Sequence, residues 1–264
     1  VELTGTLLKL MPGLWAQGKQ GADKDEETPA TPTPRAYFNT KVGADRVVGH
    51  LRMDIGALRK LAKKHRCTIN DIALCVIAGA IRGYLIERDD LPADTLHSLM
   101  PVNIRKRDEA GNLGNHVAAK KVALHTPIGD AGERLRAIHT ETSRSKHETH
   151  RGGPNPLTDL VDEIHPAILL WLGEWLVNSG RIESMQPIVN TVVTNVPGTA
   201  QEIYIGDARL VDFLGFGPLA PNCGLFHTVS STEDHVNISF LSTPELLGDG
   251  LDYSRWLQQS WQEL

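Results

Sequence analysis

Apolar positions recur along the chain with two periods, and each period predicts a different element. Residues 46–53 read as a strand, and Asp54 stands where it can N-cap a helix over 55–65. Thr68 opens a second helix. Asp71, three residues on, takes the N3 place of a capping box, which prefers Glu or Gln. From 72 to 81 (IALCVIAGAI) this helix is uncharged on every side. A helix apolar all round is buried, and ten residues are too few to span a bilayer. Arg82, Glu87 and Arg88 return it to water.

The pattern then changes period. Residues 96–104 read as a strand, with Pro101 confined to an edge or bulge, and 108–114 (DEAGNLG) as a turn. Residues 116–124 form another strand. A helix over 131–147 has Leu135, Ile138 and Thr142 at helical spacing. After a loop at 148–156, a helix is expected over 157–177, disturbed near Pro166, with Trp171 and Trp175 stacked at i, i+4. That helix is core, or it faces a lipid surface or partner. Toward the end, 187–195 is a strand running into the Val196-Pro197-Gly198 turn. Strands at 202–205 and 208–216 are joined by Gly206-Asp207, good two-residue hairpin chemistry. Strands at 225–230 and 235–242 follow, the second alternating Val236, Ile238 and Phe240 with Asn237, Ser239 and Leu241, and a helix over 251–264 closes the chain. The order is mixed α/β.

The N-terminal stretch stands apart. Residues 1–17 carry a short apolar helix interrupted by Pro12, belonging to or packing on a preceding domain. Residues 18–35 are charged and then Pro/Thr-rich, and read as an inter-domain linker. Residues 36–264 are the main domain. The chain opens on Val1 without a signal peptide, so we expect it to belong to something longer.

Composition narrows the function. With 41% hydrophobic and 22% charged residues in 264, the chain is globular and long enough for a large core. A net charge of −5 argues against nucleic-acid binding. Cys67, Cys75 and Cys223 make no disulfide framework and no CxxC zinc pair, which points to a reducing compartment and core cysteines.

Most catalytic patterns are missing. There is no GxSxG elbow and no phosphate-binding glycine loop. His147-Glu148-Thr149-His150 spaces its histidines three apart, where a zinc helix needs four, so no metal is expected. His50-x-x-x-Asp54 could pair a general base with its orienting carboxylate, but Asp54 already has a use as an N-cap. Asn70 and Asp71 open the most buried helix, where a capping carboxylate is a sufficient explanation. Asn103 and Arg105 leave the end of an apolar strand, either as its exit from the core or to meet a carboxylate or phosphate. Thr194, Asn195, Pro197 and Gly198 end a Val-rich strand, either at a crevice or as ordinary turn chemistry.

Taken in order, these segments have a pattern. Thr68-Ile69-Asn70-Asp71 precedes the apolar helix. Then come Met100-Pro101-Val102-Asn103-Ile104-Arg105, Gly114-Asn115, Glu133-Arg134-Leu135-Arg136-Ala137-Ile138-His139, and Thr194-Asn195-Val196-Pro197-Gly198. Over about 33–264 the chain resembles the C-terminal half of the bacterial wax ester synthase/diacylglycerol acyltransferase family, with Pro34-Arg35 and Phe38-Asn39 matching the segment after the family's linker. The resemblance implies an α/β fold, a mixed sheet flanked by helices, as one half of a two-domain CoA-dependent (chloramphenicol acetyltransferase-like) acyltransferase. It implies acyl transfer from acyl-CoA, a substrate rather than a cofactor, to a long-chain alcohol or diacylglycerol, making wax esters or triacylglycerol. It implies an N-terminal partner half bearing the HHxxxDG general base. This chain has no adjacent histidine pair, so no catalytic residue is assigned to it. Asn70 and Asp71 carry over as active-site support. Asn103, Arg105, Thr194, Asn195, Pro197 and Gly198 carry over as substrate-binding residues. Thr199 stands where the family usually has Pro, and 222–227 (NCGLFH) departs from the family near its acceptor channel. A cytoplasmic protein is expected, with peripheral contact at the inner membrane or lipid droplets as a further expectation. The rival readings are a non-catalytic lipid- or partner-binding half, and a condensation-domain-like acyltransferase using a carrier-bound substrate.

Overall fold

The computed structural model describes residues 32–103, 117–148, 175, 179–198 and 202–264. The expected helix over 1–17, most of the 18–35 linker, Arg105, the 108–114 turn and nearly all of the 157–177 helix lie outside them. So does the side-chain arrangement of His147, Glu148 and His150.

Strand β1 (Val47–Asp54) runs directly into helix α1 (Ile55–His65), because Asp54 Oδ1 accepts from Ala57 N at 2.6 Å and caps it. Lys63, Lys64 and His65 occupy its last turn, where positive charge complements the helix dipole. Helix α2 (Ile69–Ile86) follows, opened by Thr68 and Asp71 as a complete capping box. It is 18 residues long, extending the uncharged stretch of 72–81 at both ends, and is long and apolar enough to cross a membrane. Here it is a core helix instead, with residues 71–81 buried without interruption.

The remaining elements are β2 (His97–Asn103), β3 (Val117–Ala123), α3 (Ala131–Glu148), α4 (Arg181–Ser184), β4 (Thr191–Val196) and the short pair β5 (Tyr204–Ile205) and β6 (Ala208–Arg209). Then come β7 (Phe226–Ser231), β8 (His235–Ser242), α5 (Pro244–Leu247) and α6 (Leu251–Gln262). Six strands form one mixed sheet in the order β1-β8-β7-β4-β2-β3, parallel at β7/β4 and β4/β2 and antiparallel elsewhere. Helix α2 packs against α1, α3 and α6, and the cluster around Leu74, Ile77, Ile81, Ile238, Phe240 and Leu257 forms the core. Pro101 lies in an interior strand, yet β4 pairs with β2 only at Ser98 and Leu99, so β2 has no β4 partner where the proline falls.

Two expectations change. Residues 208–216 were expected as one strand, but only Ala208–Arg209 pairs, and the rest crosses the sheet as a strap. Strand β8 alternates as expected for a half-buried strand, yet both of its faces are covered. The strap explains this, because Ser239 Oγ donates to Gly215 O at 2.6 Å and Asn237 Nδ2 to Asp212 Oδ1 at 3.0 Å. Gly215 allows the approach, since a Cβ there would lie 2.8 Å from Thr228 Cγ2. The strap's polar groups take the place of water for the Ser239 hydroxyl and the Asn237 amide nitrogen.

The end of the segment read as linker is docked. Thr33 Oγ1 donates to Ile188 O and Arg35 Nη2 to Met185 O, each at 2.8 Å. Buried Asn39 ties this segment to the domain: its Oδ1 accepts from Asn190 Nδ2, and its Nδ2 donates to Val189 O and Asn222 O. This gives Pro34-Arg35 and Phe38-Asn39 a structural task.

Candidate functional site

The first group of polar side chains forms at the start of α2. Asp71 is 1% exposed. Its Oδ2 accepts from Thr68 N at 2.9 Å and from His139 Nδ1 at 2.8 Å, and its Oδ1 accepts from Thr142 Oγ1 at 2.7 Å. Thr68 Oγ1 in turn accepts from Asp71 N at 3.2 Å. Burial alone would raise the carboxyl pKa, but hydrogen bonds from the Thr68 backbone, Thr142, His139 and the Thr68 side chain outweigh it and hold the pKa below the usual carboxylate value. The carboxylate is therefore ionised and fixes the His139 ring, leaving Nε2 as the ring's other polar atom. Asn70 is half-buried, and its Oδ1 has no hydrogen-bond partner among the described residues.

The second group lies at the end of β4. Thr194 pairs with Thr228 and Asn195 with Val229, so β4 delivers the turn to the rim of the sheet. Gly198 N donates to Ser231 Oγ at 2.9 Å. Only glycine fits here, since a Cβ would lie 1.6 Å from the Ser231 carbonyl oxygen. Pro197 and Gly198 line a cleft of about 310 Å³, whose apolar wall includes Val196, Ile203, Val211 and Phe213. Its rim is charged: Arg52 meets Asp212 at 3.2 Å, and Arg209 meets Glu202 at 3.2 Å and Asp234 at 3.1 Å.

The structure thus brings Asn70 and Asp71 together at one helix start, and Pro197 and Gly198 together in one cleft. Thr194 is half-buried and Asn195 exposed on β4, and neither lines the cleft. Asn103 ends β2 opposite Val117, and Arg105 lies outside the described residues. His139 and Thr142 were not picked out as site residues. Their signal was present, since both share the α3 face of Leu135 and Ile138 at helical spacing, where a polar residue needs a partner.

Other candidates become structural. His50 is exposed on β1, while Asp54 is used as the α1 cap. Burial pushes the Cys75 and Cys223 thiols up to about 11 and raises that of Cys67, so all three are poor nucleophiles. Among the described residues no group of three His, Cys, Asp or Glu side chains could hold a metal. In the divergent 222–227 segment, His227 is fully buried and lies outside the cleft. Its Nδ1 meets Thr191 Oγ1 at 3.1 Å and its Nε2 meets Tyr253 Oη at 2.8 Å.

Burial holds the His227 pKa down to about 3 and that of His97 to about 4. Both rings stay neutral in the fold, whereas an unfolded histidine takes a proton near pH 6.5. The unfolded state then binds more protons as the pH falls, so stability present above about pH 6.5 is lost toward pH 3. Urea unfolding at pH 7 and pH 5 should differ by about 2 kcal/mol from His227 alone. His227→Gln should be less stable at pH 7 and flatten that slope. An unchanged slope would assign the acid loss to other groups.

Comparison with known proteins places these features. Residues 113–264 match the profile of the WS/DGAT C-terminal domain. The chain is 26% identical over 268 aligned positions to the probable diacylglycerol O-acyltransferase Tgs4 of Mycobacterium tuberculosis, covering 98% of this chain and 55% of that protein. The fold is similar to that of the wax ester synthase/diacylglycerol acyltransferase from Marinobacter aquaeolei VT8, with a TM-score of 0.67 and 23% identity over 88% of this chain and 51% of that one. A condensation domain of the enacyloxin polyketide synthase is similar at a TM-score of 0.53 and 11% identity, over 87% and 44% of the two chains. This chain spans about half the length of the curated relative it matches, 55% of Tgs4.

Proposed function

Because the chain belongs to the WS/DGAT C-terminal domain family, we propose that it forms the C-terminal half of an acyl-CoA:alcohol or acyl-CoA:diacylglycerol O-acyltransferase. The other half supplies the HHxxxDG general base. Acyl-CoA serves as substrate and no further cofactor is needed. The base takes the acceptor hydroxyl proton, the oxygen attacks the thioester carbonyl, and the tetrahedral intermediate expels the CoA thiolate, which recovers the proton. This chain contributes a wall of the channel and a rigid frame for it. The observation that carries the reading is the cleft at Pro197 and Gly198, whose apolar wall suits a long hydrocarbon chain. The ionised Asp71 and its His139 and Thr142 partners support the channel by fixing the start of α2. The products are apolar, which agrees with a cytoplasmic enzyme releasing them to a membrane or lipid-droplet surface.

The test is an acyl-transfer assay on the intact protein with palmitoyl-CoA and either hexadecanol or dioleoylglycerol. Val211, 61% exposed on the cleft wall, is a suitable probe. Val211→Asp should cut turnover by about tenfold or more by placing a charge against the acyl chain, with the melting temperature unchanged. Binding of palmitoyl-CoA without turnover would favour a non-catalytic half. Turnover only with an acyl-carrier protein would favour a condensation-type reaction.

A further inference from the structure

Residues 210–217 (LVDFLGFG) form the strap over the sheet, and part of the strap is also a wall of the cleft. Leu210, Val211 and Phe213 line the cleft, whereas Asp212 between them does not. Extended backbone sends successive side chains to opposite sides, so Asp212 faces the sheet when Val211 and Phe213 face the cleft. Its carboxylate is held from two strands. Asp212 Oδ1 accepts from Asn237 Nδ2 of β8 at 3.0 Å, and Oδ2 lies 3.2 Å from Arg52 Nη1 of β1. Arg52 is fixed in turn, with Nη2 at 3.1 Å from the His235 ring nitrogens.

The strap's other anchors fix its height above the sheet but not its register. Ser230 Oγ donates to Phe213 O at 2.5 Å and Ser239 Oγ to Gly215 O at 2.6 Å. Every residue has a carbonyl, so these two bonds would accept a strap slipped along its length. Asp212 carries the one hydrogen-bonding side chain in 210–217, so it meets Asn237 and Arg52 in a single register. A slip of one residue would turn Asp212 into the cleft and an apolar neighbour onto Asn237. Asn237 cannot tolerate that, because it is fully buried and its Oδ1 already has no hydrogen-bond partner among the described residues. The Arg52 pair is different in kind. Its side chains are 41% and 30% exposed, so it adds little stability and acts through geometry.

We propose that Asp212 is a positioning residue for the acyl chain: clasped between Asn237 and Arg52, it sets the register of the strap and so presents Val211 and Phe213 as the apolar wall of the cleft. This role rests on the acyl-transfer reading of the cleft and adds what makes its wall selective for long chains. Asp212 itself touches no substrate. A long chain meets more of that wall than a short one, so a shifted wall penalises the long chain more.

The test compares kcat/KM of the intact protein on palmitoyl-CoA and octanoyl-CoA with hexadecanol as acceptor, alongside affinity for cis-parinaric acid, a fluorescent long-chain fatty acid. Asp212→Ala should lose about tenfold or more on palmitoyl-CoA and no more than about twofold on octanoyl-CoA. It should also melt a few degrees lower, since Asn237 loses its acceptor. Asp212→Asn keeps an oxygen for Asn237 and should melt as wild type does, with a palmitoyl-CoA loss of about threefold. Arg52→Gln should match that loss, and the double variant carrying both should be no worse than either alone, because each removes the same ion pair. Equal losses on the two chain lengths, or none, overturn the proposal, since general damage to the fold would not distinguish them. Additive losses in the double variant overturn it as well. A wild type without turnover removes the transferase reading and leaves the clasp to cis-parinaric acid. Weakening of about tenfold in Asp212→Ala then supports the clasp, and unchanged affinity, or no saturable binding to wild type, overturns it.

Discussion

Asp71→Ala should lower the unfolding free energy by about 3 kcal/mol, a large effect for one substitution. The capping box contributes about 1 kcal/mol of this, because Thr68 N loses its acceptor at the start of the central helix. The rest comes from Thr142, a buried hydroxyl left without its carboxylate, and from the His139 ring, which loses its anchor on α2. His139 is 36% exposed and regains water, so it accounts for less of the loss than Thr142. Asp71→Asn should lie between, since an amide has one acceptor oxygen where the carboxylate uses two. Urea unfolding at pH 7 checks both values, and Thr142→Val in a double-mutant cycle should show coupling of about 1 kcal/mol or more. A loss below about 1 kcal/mol for Asp71→Ala would mean that the interhelical bonds contribute nothing beyond the cap.

The two signals at this site differed in how far sequence could carry them. Thr68 and Asp71 act locally, three residues apart, so their capping geometry was legible in the sequence. His139 and Thr142 reach Asp71 only after α3 folds against α2, and no local pattern encodes which carboxylate a helix-face histidine will meet. The same division runs through the fold. Helix boundaries at Asp54 and Thr68, the Gly206-Asp207 hairpin and the buried α2 all follow from short-range chemistry. The strap over β7 and β8 does not. Asn237, Ser239 and Ser230 look like a solvent face, and only the tertiary path of 210–217 turns them into buried donors. Likewise, His227 reads as one more strand residue until Tyr253 and Thr191 close on it. In the ERLRAIH segment, the burial of Arg134 and its pairing with Glu263 likewise arise only from tertiary packing.

Gly198→Ala should leave the protein folded and nearly abolish transfer. The added Cβ would meet the Ser231 carbonyl oxygen at 1.6 Å and its carbon at 2.6 Å, and both are backbone atoms that no rotamer change can move aside. The 197–198 turn must therefore shift outward by about 1 Å or more, breaking the Gly198 N to Ser231 Oγ bond. The turn is exposed at the sheet rim, so the stability loss should be only about 1–2 kcal/mol. Its position matters more for chemistry, because Pro197 and Gly198 form part of the cleft and a displacement of that size can cost about 100-fold in rate. Gly206→Ala is the control. It has φ of +60° and nothing within 4 Å, so it should strain its hairpin by about 1 kcal/mol and leave transfer intact. Turnover and melting temperature measured on both variants separate the two effects. If Gly198→Ala kept turnover within about threefold of wild type while the turn had moved, the rate would not depend on this wall, and the cleft would lose its claim to the acyl chain.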